Sequence, residues 1–339
     1  MLNRLIRFAL FGGEPPIPDG RPLSDDAWNA LFEASRRQAV TALLYDAVLS
    51  LPDGLRPRRA VLFHFTSMSQ TIAQDSRRRL AALARLAALA HGQLGVDPVV
   101  VKGFALACRY PHPLHRECGD VDLYTGPDTD RLCALVESHG VAVDRSDPRH
   151  AFFRFDGVPF ECHHYLLYHN DDPVWTSVPF AEAPVAHLRR LPFEQEAFFL
   201  AKHAEHHAVF FNSRVRLRTL VDWVLLLRSD GFDFARLADL KRGTDVDRFA
   251  DLMTLYCNRI FGLDLPCDNA ALAAHGLSAD DFDRLYLHSQ PRHPCAVVRF
   301  LRRSWKYLRY GRTYRAVYGQ SMFRRFYLHN VWQAVRQHI

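Results

Sequence analysis

The chain has no apolar run approaching the roughly eighteen residues that a helix needs to cross a bilayer, so a spanning segment is not expected. Its seven cysteines are odd in number and scattered without paired spacing, which argues against a secreted disulfide framework and for a reducing, cytoplasmic setting. The opening residues offer Arg4, Arg7 and the short run Phe8-Ala9-Leu10-Phe11 before Gly12-Gly13-Glu14-Pro15-Pro16 interrupts them, too little apolar length for a signal peptide. There is no internal repeat and no low-complexity linker. Acidic residues are missing altogether after Asp283.

That last absence makes the charge distribution lopsided. Beyond Pro291 the chain carries Arg292, Arg299, Arg302, Arg303, Lys306, Arg309, Arg312, Arg315, Arg324, Arg325 and Arg336; these eleven charges exceed the net +6 of the whole, so residues 1–291 are net −5. The same tail interleaves Trp305, Tyr307, Tyr310, Tyr314, Tyr318, Phe323, Phe326, Tyr327 and Trp332. Residues 292–336 can therefore meet an anionic membrane surface or nucleic acid, or simply form amphipathic helices whose arginines pair with the acidic remainder. With 339 residues, 48% of them hydrophobic and 24% charged, the chain can build one large or two modest cores, and disorder does not dominate.

Candidate chemistry concentrates between Val99 and His163. Asp120 and Asp122 flank one valine in a short apolar run, and residues two apart in a strand share a face. Two carboxylates so placed are costly in an interior unless a cation neutralises them, and hard oxygen ligands suit Mg²⁺ or Mn²⁺ carried with nucleotide phosphates. The alternative is that both cap turns or pair with Arg116. Upstream, Val99–Val101 read as a buried strand running into Lys102-Gly103 and then a helical stretch; strand, glycine and helix make a phosphate-cradle layout, with Lys102 adding a point charge. Downstream, Asp156-Gly157 signals a two-residue hairpin turn, which places Glu161 on an antiparallel strand. Alternation then puts Glu161 and His163 on one face and Phe160 and Cys162 on the other. If this hairpin neighbours the aspartate strand, three carboxylates converge and can hold two metal ions for an in-line displacement. Cys118 and Cys162 read as core packing.

Lys102-Gly103, a helix ending in Tyr110-Pro111, then Arg116, Gly119-Asp120-Val121-Asp122-Leu123 and Glu161-Cys162-His163 together resemble the uncharacterised bacterial nucleotidyltransferase family of the polymerase-beta-like superfamily. The resemblance continues in His203 and His207, four apart, and in the Leu-Arg-rich run closing on Asp222, and so covers about residues 95–230. It implies a Mg²⁺-dependent transfer of a nucleoside monophosphate from an NTP, ATP first among them, to a hydroxyl-bearing acceptor. Asp120, Asp122 and Glu161 would be the catalytic and metal-binding residues, and Lys102, Gly103, Arg116 and Gly119 would hold the nucleotide. One departure stands out: superfamily enzymes often start the first helix with Gly-Ser, whereas this chain has Gly103-Phe104. A catalytically silent nucleotide-binding or regulatory protein is therefore the alternative, and an interaction module working through the basic tail is another.

Several roles stay open at this level. Arg116 reads either as a bidentate phosphate clamp or as a neutraliser of Asp120. His163 reads as an orienting partner of Glu161, a general acid/base or a satisfied strand histidine. His203 and His207 have a zinc-capable spacing but no evident third ligand, and otherwise read as acceptor-site or core residues. Asp222, inside an apolar helix, calls for a partner such as Arg218 or a histidine. The expected architecture is α+β: an N-terminal helical region (residues 1–95), a polymerase-beta-like core of a small mixed sheet with helices (96–170), and a C-terminal helical region with the basic aromatic tail (171–339).

Overall fold

The computed structural model describes residues 1–166, 180–210, 213–288 and 295–321. The chain forms two compact units, residues 1–199 with 228–232, and residues 200–227 with 233–339.

The first unit opens with four helices, α1 (Leu2–Phe11), α2 (Asp25–Gln38), α3 (Thr41–Ser50) and α4 (Arg59–Leu94). Ser24 starts α2 as its sequence position suggests: the hydroxyl accepts from the Ala27 N–H at 3.3 Å, with Asp25 and Asp26 in the first turn. Helix α4 runs 36 residues and ends at Gly95, whose φ of 67° is the left-handed conformation a glycine adopts at no steric cost. Pro98 then directs the chain into the sheet.

Among the described residues seven strands make one mixed sheet: β1 (Val99–Val101), β2 (Val121–Tyr124), β3 (Val143–Asp144), β4 (His150–Phe155), β5 (Val158–His163), β6 (Ala181–Glu182) and β7 (Arg189–Arg190), in the order β3-β4-β5-β2-β1-β7-β6. The β4–β5 hairpin turns through Asp156 and Gly157 with φ values of 51° and 72°, the positive pair that a tight two-residue turn requires. Strand β5 then lies parallel to β2, with Glu161 opposite Asp122. One face of the sheet is apolar, with Val100, Val121, Leu123, Phe153, Val158, Phe160 and Cys162 directed to the core. Against it pack Ala82, Leu83, Leu86, Ala87 and Ala90 of α4, a stripe of three-to-four spacing whose alanines permit close approach, together with Leu132, Leu135 and Val136 of α6 (Thr129–Ser138). The opposite face carries the polar residues. Between β1 and β2 lies α5 (Gly103–Ala107), shorter than the run to Tyr110 suggests.

Strands β6 and β7 fall in a stretch whose sequence reads as part of a helical region. Two residues each, they show no usable alternation, and their pairing comes from β1, which lends β7 a parallel edge while the Arg189 N–H donates to the Pro98 carbonyl at 2.9 Å.

The N-terminal helices fix the loop that leads into β2. The carboxylate of Glu117 accepts from the Thr41 N–H at 2.7 Å, at the start of α3, where Val40 provides no side-chain cap. His115 Nδ1 lies 2.8 Å from Asp46 of α3, and Arg79 of α4 donates to the Gly119 carbonyl.

In the second unit, α7 (Phe193–Phe210), which begins in the first, continues and is followed by α8 (Leu217–Leu227), α9 (Phe234–Lys241), α10 (Asp247–Phe261), α11 (Asn269–Ala274), α12 (Ala279–Phe282), α13 (Ala296–Arg309) and α14 (Gly311–Tyr318). Trp223, Phe249, Phe261, Phe282, Tyr286 and Tyr314 are fully buried there, and the Trp223 indole donates to Thr254 Oγ1 at 3.0 Å.

Because Glu117 caps a helix that begins 76 positions earlier, Glu117→Ala is expected to destabilise the protein by about 1 kcal/mol, measured by urea denaturation.

Candidate active site

Lys102 follows β1 directly, and its backbone sits at φ 53°, ψ −130°, a region that side-chain-bearing residues rarely occupy and that costs about 1–3 kcal/mol. The residue in the glycine-like conformation is thus Lys102. A Cβ at Gly103 would meet only ordinary contacts, Cys118 Sγ at 3.6 Å and Arg116 Nη1 at 3.7 Å. The strained backbone brings the Lys102 ammonium within 2.6 Å of Asp122 Oδ1 and 5.8 Å above the centre of the Phe199 ring.

Asp122 lies inside β2, 6% exposed, and also faces His163 Nε2 at 3.0 Å. Burial alone would raise its pKa, but the Lys102 ammonium and the His163 hydrogen bond outweigh burial and hold the carboxyl well below the usual range. Burial pushes His163 down, against the pull of Asp122. His163 is therefore a neutral imidazole that donates from Nε2, since an ionised Asp122 can only accept.

Glu161, in register with Asp122, is in the opposite state. Burial and then the charges of Asp122 and Asp120 push it up to about 7. One of its oxygens lies 3.7 Å from His163 Nε2 and the other 3.9 Å from His150 Nε2. The ligand atoms of Asp122, Glu161 and His163 all lie within 4.8 Å of one another. This donor set fits a divalent cation: a positive group already occupies Asp122, and two carboxylates with one imidazole suit Mn²⁺ as well as Mg²⁺.

Asp120 stands apart from this trio. Strand β2 begins at Val121, and Gly119-Asp120 forms a bend held by Arg79, so strand alternation does not extend to Asp120. It is exposed, and what it brings to the trio is its charge, which Glu161 feels. Arg116 is 4% exposed, with Nη1 on Cys118 Sγ at 3.0 Å. Gly119 is exposed. Cys162 points to the opposite face, 3.0 Å from Thr125 Oγ1, and burial pushes its thiol up to about 12, an unreactive structural cysteine. His203, His207 and Asp222 belong to the second unit, where the two imidazoles lie 4.1 Å apart and Asp222 is 2% exposed.

His150 is a member of the cluster that the sequence reading passed over. It pairs with His163 across the hairpin, their rings 5.2 Å apart, and burial lowers its pKa. Counting equally outward from Asp156-Gly157 reaches both histidines together, so the hairpin signal already contained this neighbour.

A family model described as an uncharacterised nucleotidyltransferase matches residues 24–262. The chain belongs to this nucleotidyltransferase family. No curated protein and no solved structure matches it. The match begins at the cap of α2, so in this nucleotidyltransferase the helices that hold the Glu117 loop fall within the family region along with the carboxylate cluster. Among the described residues no helix is long and apolar enough to cross a membrane.

The state of Glu161 has a measurable consequence. Its carboxyl takes a proton at about 7 when folded and near 4.5 when unfolded, so between these values the folded state holds the extra proton and stability falls as pH rises. Glu161→Gln, which mimics the protonated form, is expected to stabilise the metal-free protein by about 1–3 kcal/mol at pH 8 and by nothing near pH 4. Denaturation in EDTA across that range measures the difference.

Proposed function

We propose that this protein is a divalent-cation-dependent nucleotidyltransferase that moves a nucleoside monophosphate from an NTP to a hydroxyl-bearing acceptor. The observation that carries the reading is the placement of Asp122, Glu161 and His163 on one sheet face with Lys102 against them.

In this reading Asp122, Glu161 and, once its Nε2 proton has moved to Nδ1, neutral His163 would hold Mg²⁺ or Mn²⁺, whose charge when bound would offset that of the triphosphate. The acceptor oxygen attacks the α-phosphorus, the bond to the β-phosphate bridging oxygen breaks, and pyrophosphate leaves. Glu161 takes the acceptor proton, a task suited to a carboxyl whose affinity for protons lies near neutrality. Until the cation binds, neutral His163 keeps Asp122 oriented without adding positive charge. Lys102 turns from Asp122 to the phosphates as the nucleotide enters, supplying the contact that a serine after Gly103 would otherwise make. Asp120, at the exposed edge, discourages protonated Glu161 from losing its proton early. Arg116, buried below Gly103, supports the loop that presents the nucleotide site.

Calorimetric titration with non-hydrolysable NTPs, ATP analogues first, is expected to show Mg²⁺- or Mn²⁺-dependent binding that Asp122→Asn abolishes. Pyrophosphate release with hydroxyl acceptors is expected to rise with pH and level off at or below about pH 7, and to fall by a factor of about 10² or more in Glu161→Gln. Metal-dependent NTP binding with no turnover on any acceptor would instead favour the catalytically silent relative.

Helix α13 supports a second reading, for the tail. Leu301, Trp305 and Leu308, at helical spacing, are 59%, 63% and 60% exposed, and the exposed Arg302, Arg309, Arg312 and Arg315 accompany them. Two leucines flanking a tryptophan, beside arginines, suit an anionic lipid surface better than a stack of bases. Residues 292–294 and 322–336 of the tail lie outside the described residues. Salt-sensitive pelleting with phosphatidylserine vesicles that survives Asp122→Asn and is lost in Leu301→Glu/Leu308→Glu would carry this reading; no pelleting at low salt would remove it.

A further inference from the structure

A second group of metal-ligating side chains lies at the other end of β1. His91 comes from the last turn of α4, Asp97 from the segment entering β1, and His187 from the turn before β7. One ligand atom from each lies within 4.8 Å of the others. His91 Nδ1 and Asp97 Oδ1 are 2.7 Å apart, and the His91 and His187 rings stack at 4.0 Å with planes 26° apart. None of these three residues enters the chemistry proposed above.

Three features favour a cation here. His91 lies in the last turn of the 36-residue α4, and the negative end of a helix stabilises positive charge. His187 holds a φ of 61°, uncommon for a residue with a side chain, and that backbone sets its ring against His91. Two imidazoles and a carboxylate are donor types that a zinc-class ion takes, and one ligand atom of each is within reach of a common centre. Zinc ligands lie about 2.0–2.2 Å from the ion and so roughly 3.3–3.5 Å from one another; a shift of roughly an ångström, which opens the His91–Asp97 hydrogen bond, brings these three donors onto one centre. Arg189 Nη2, 3.3 Å from Asp97 Oδ2, is the adjacent cation and orients the carboxylate from its other oxygen.

We propose that His91, Asp97 and His187 form a binding site for a zinc-class divalent transition metal, distinct from the Asp122 cluster, with a remaining coordination position open to water. Bound there, the ion ties the turn before β7 to the end of α4 and the entry of β1, and so clamps the β6–β7 edge of the sheet.

The test is calorimetric titration of the full-length protein with ZnCl₂, with CoCl₂ absorbance as the spectroscopic readout, comparing the wild type with His187→Asn and Asp97→Asn. Asparagine tolerates the left-handed backbone, so His187→Asn removes the imidazole while keeping the turn. Each titration is repeated in the Glu161→Gln background, where the other three-ligand group has lost a carboxylate. The expected result is a His187- and Asp97-dependent binding event, weakened about tenfold or more in either variant and retained in Glu161→Gln, with zinc raising the Tm of the wild type by a few degrees more than that of His187→Asn. Zinc stoichiometry and affinity unchanged in both folded variants, or no binding beyond what Glu161→Gln removes, would overturn the site.

Discussion

The contact between the Lys102 ammonium and Asp122 joins two strands across the antiparallel pairing of Val101 with Asp122, and it sets the charge on everything nearby. A carboxylate 6% exposed inside a sheet would normally protonate, because desolvation penalises its charged form. Lys102 prevents this, and the strain in its backbone shows that the surrounding structure holds the pair against a local preference. Once Asp122 is fixed as an anion, its neighbour in register cannot easily be one too. Burial and then that anion hold the Glu161 proton to about 7, while burial keeps His163 neutral against the pull of Asp122. Burial and one ion pair together give an ionised acid, a proton-accepting acid and an uncharged imidazole within a few ångströms.

The pair needs a fixed frame, and the helical N-terminal region supplies part of it. The loop from Tyr110 to Asp120 has no regular structure beyond one short turn, yet Glu117, His115 and Gly119 are held by Thr41, Asp46 and Arg79 in turn. These contacts tie α3 and α4 to the residues just before β2. The alanine-rich stripe of α4 simultaneously packs beneath the sheet. A single helix therefore positions both faces of the site's support, which accounts for a family match that starts well upstream of the carboxylates.

Most of this frame was legible in the sequence because local chemistry and global fold agree. Asp156-Gly157 demanded a hairpin turn, the alternation of Val158 to His163 assigned its faces, and Ser24 and Pro98 punctuated the helices where they do. What escaped reading depended on distant partners. Asp120 shares its spacing with Asp122, but β2 starts at Val121, where the pairing with β1 closes at Val101 and Asp122. Strands β6 and β7 are too short to carry a pattern and exist because β1 has a free edge. The Lys102 conformation belongs by propensity to the glycine one position later, and only the buried Asp122 explains why a lysine adopts it.

The departure from the superfamily pattern then acquires a physical reading. A serine after Gly103 would place a hydroxyl at the first turn of α5, but Phe104 there packs against the core under the sheet. The position has been given to packing, and with it goes one polar contact available to a phosphate. Lys102 is two residues earlier and already committed to a carboxylate. A triphosphate arriving with a cation would offer that ammonium a more highly charged partner and relieve Asp122 of its need for it, so the exchange conserves charge at both ends. The same exchange would lower the proton affinity of Glu161 as the cation arrives, since the field of Asp122 is the second contribution holding it up. Nucleotide entry and activation of the base are in that case coupled through a single aspartate, without any movement of the sheet.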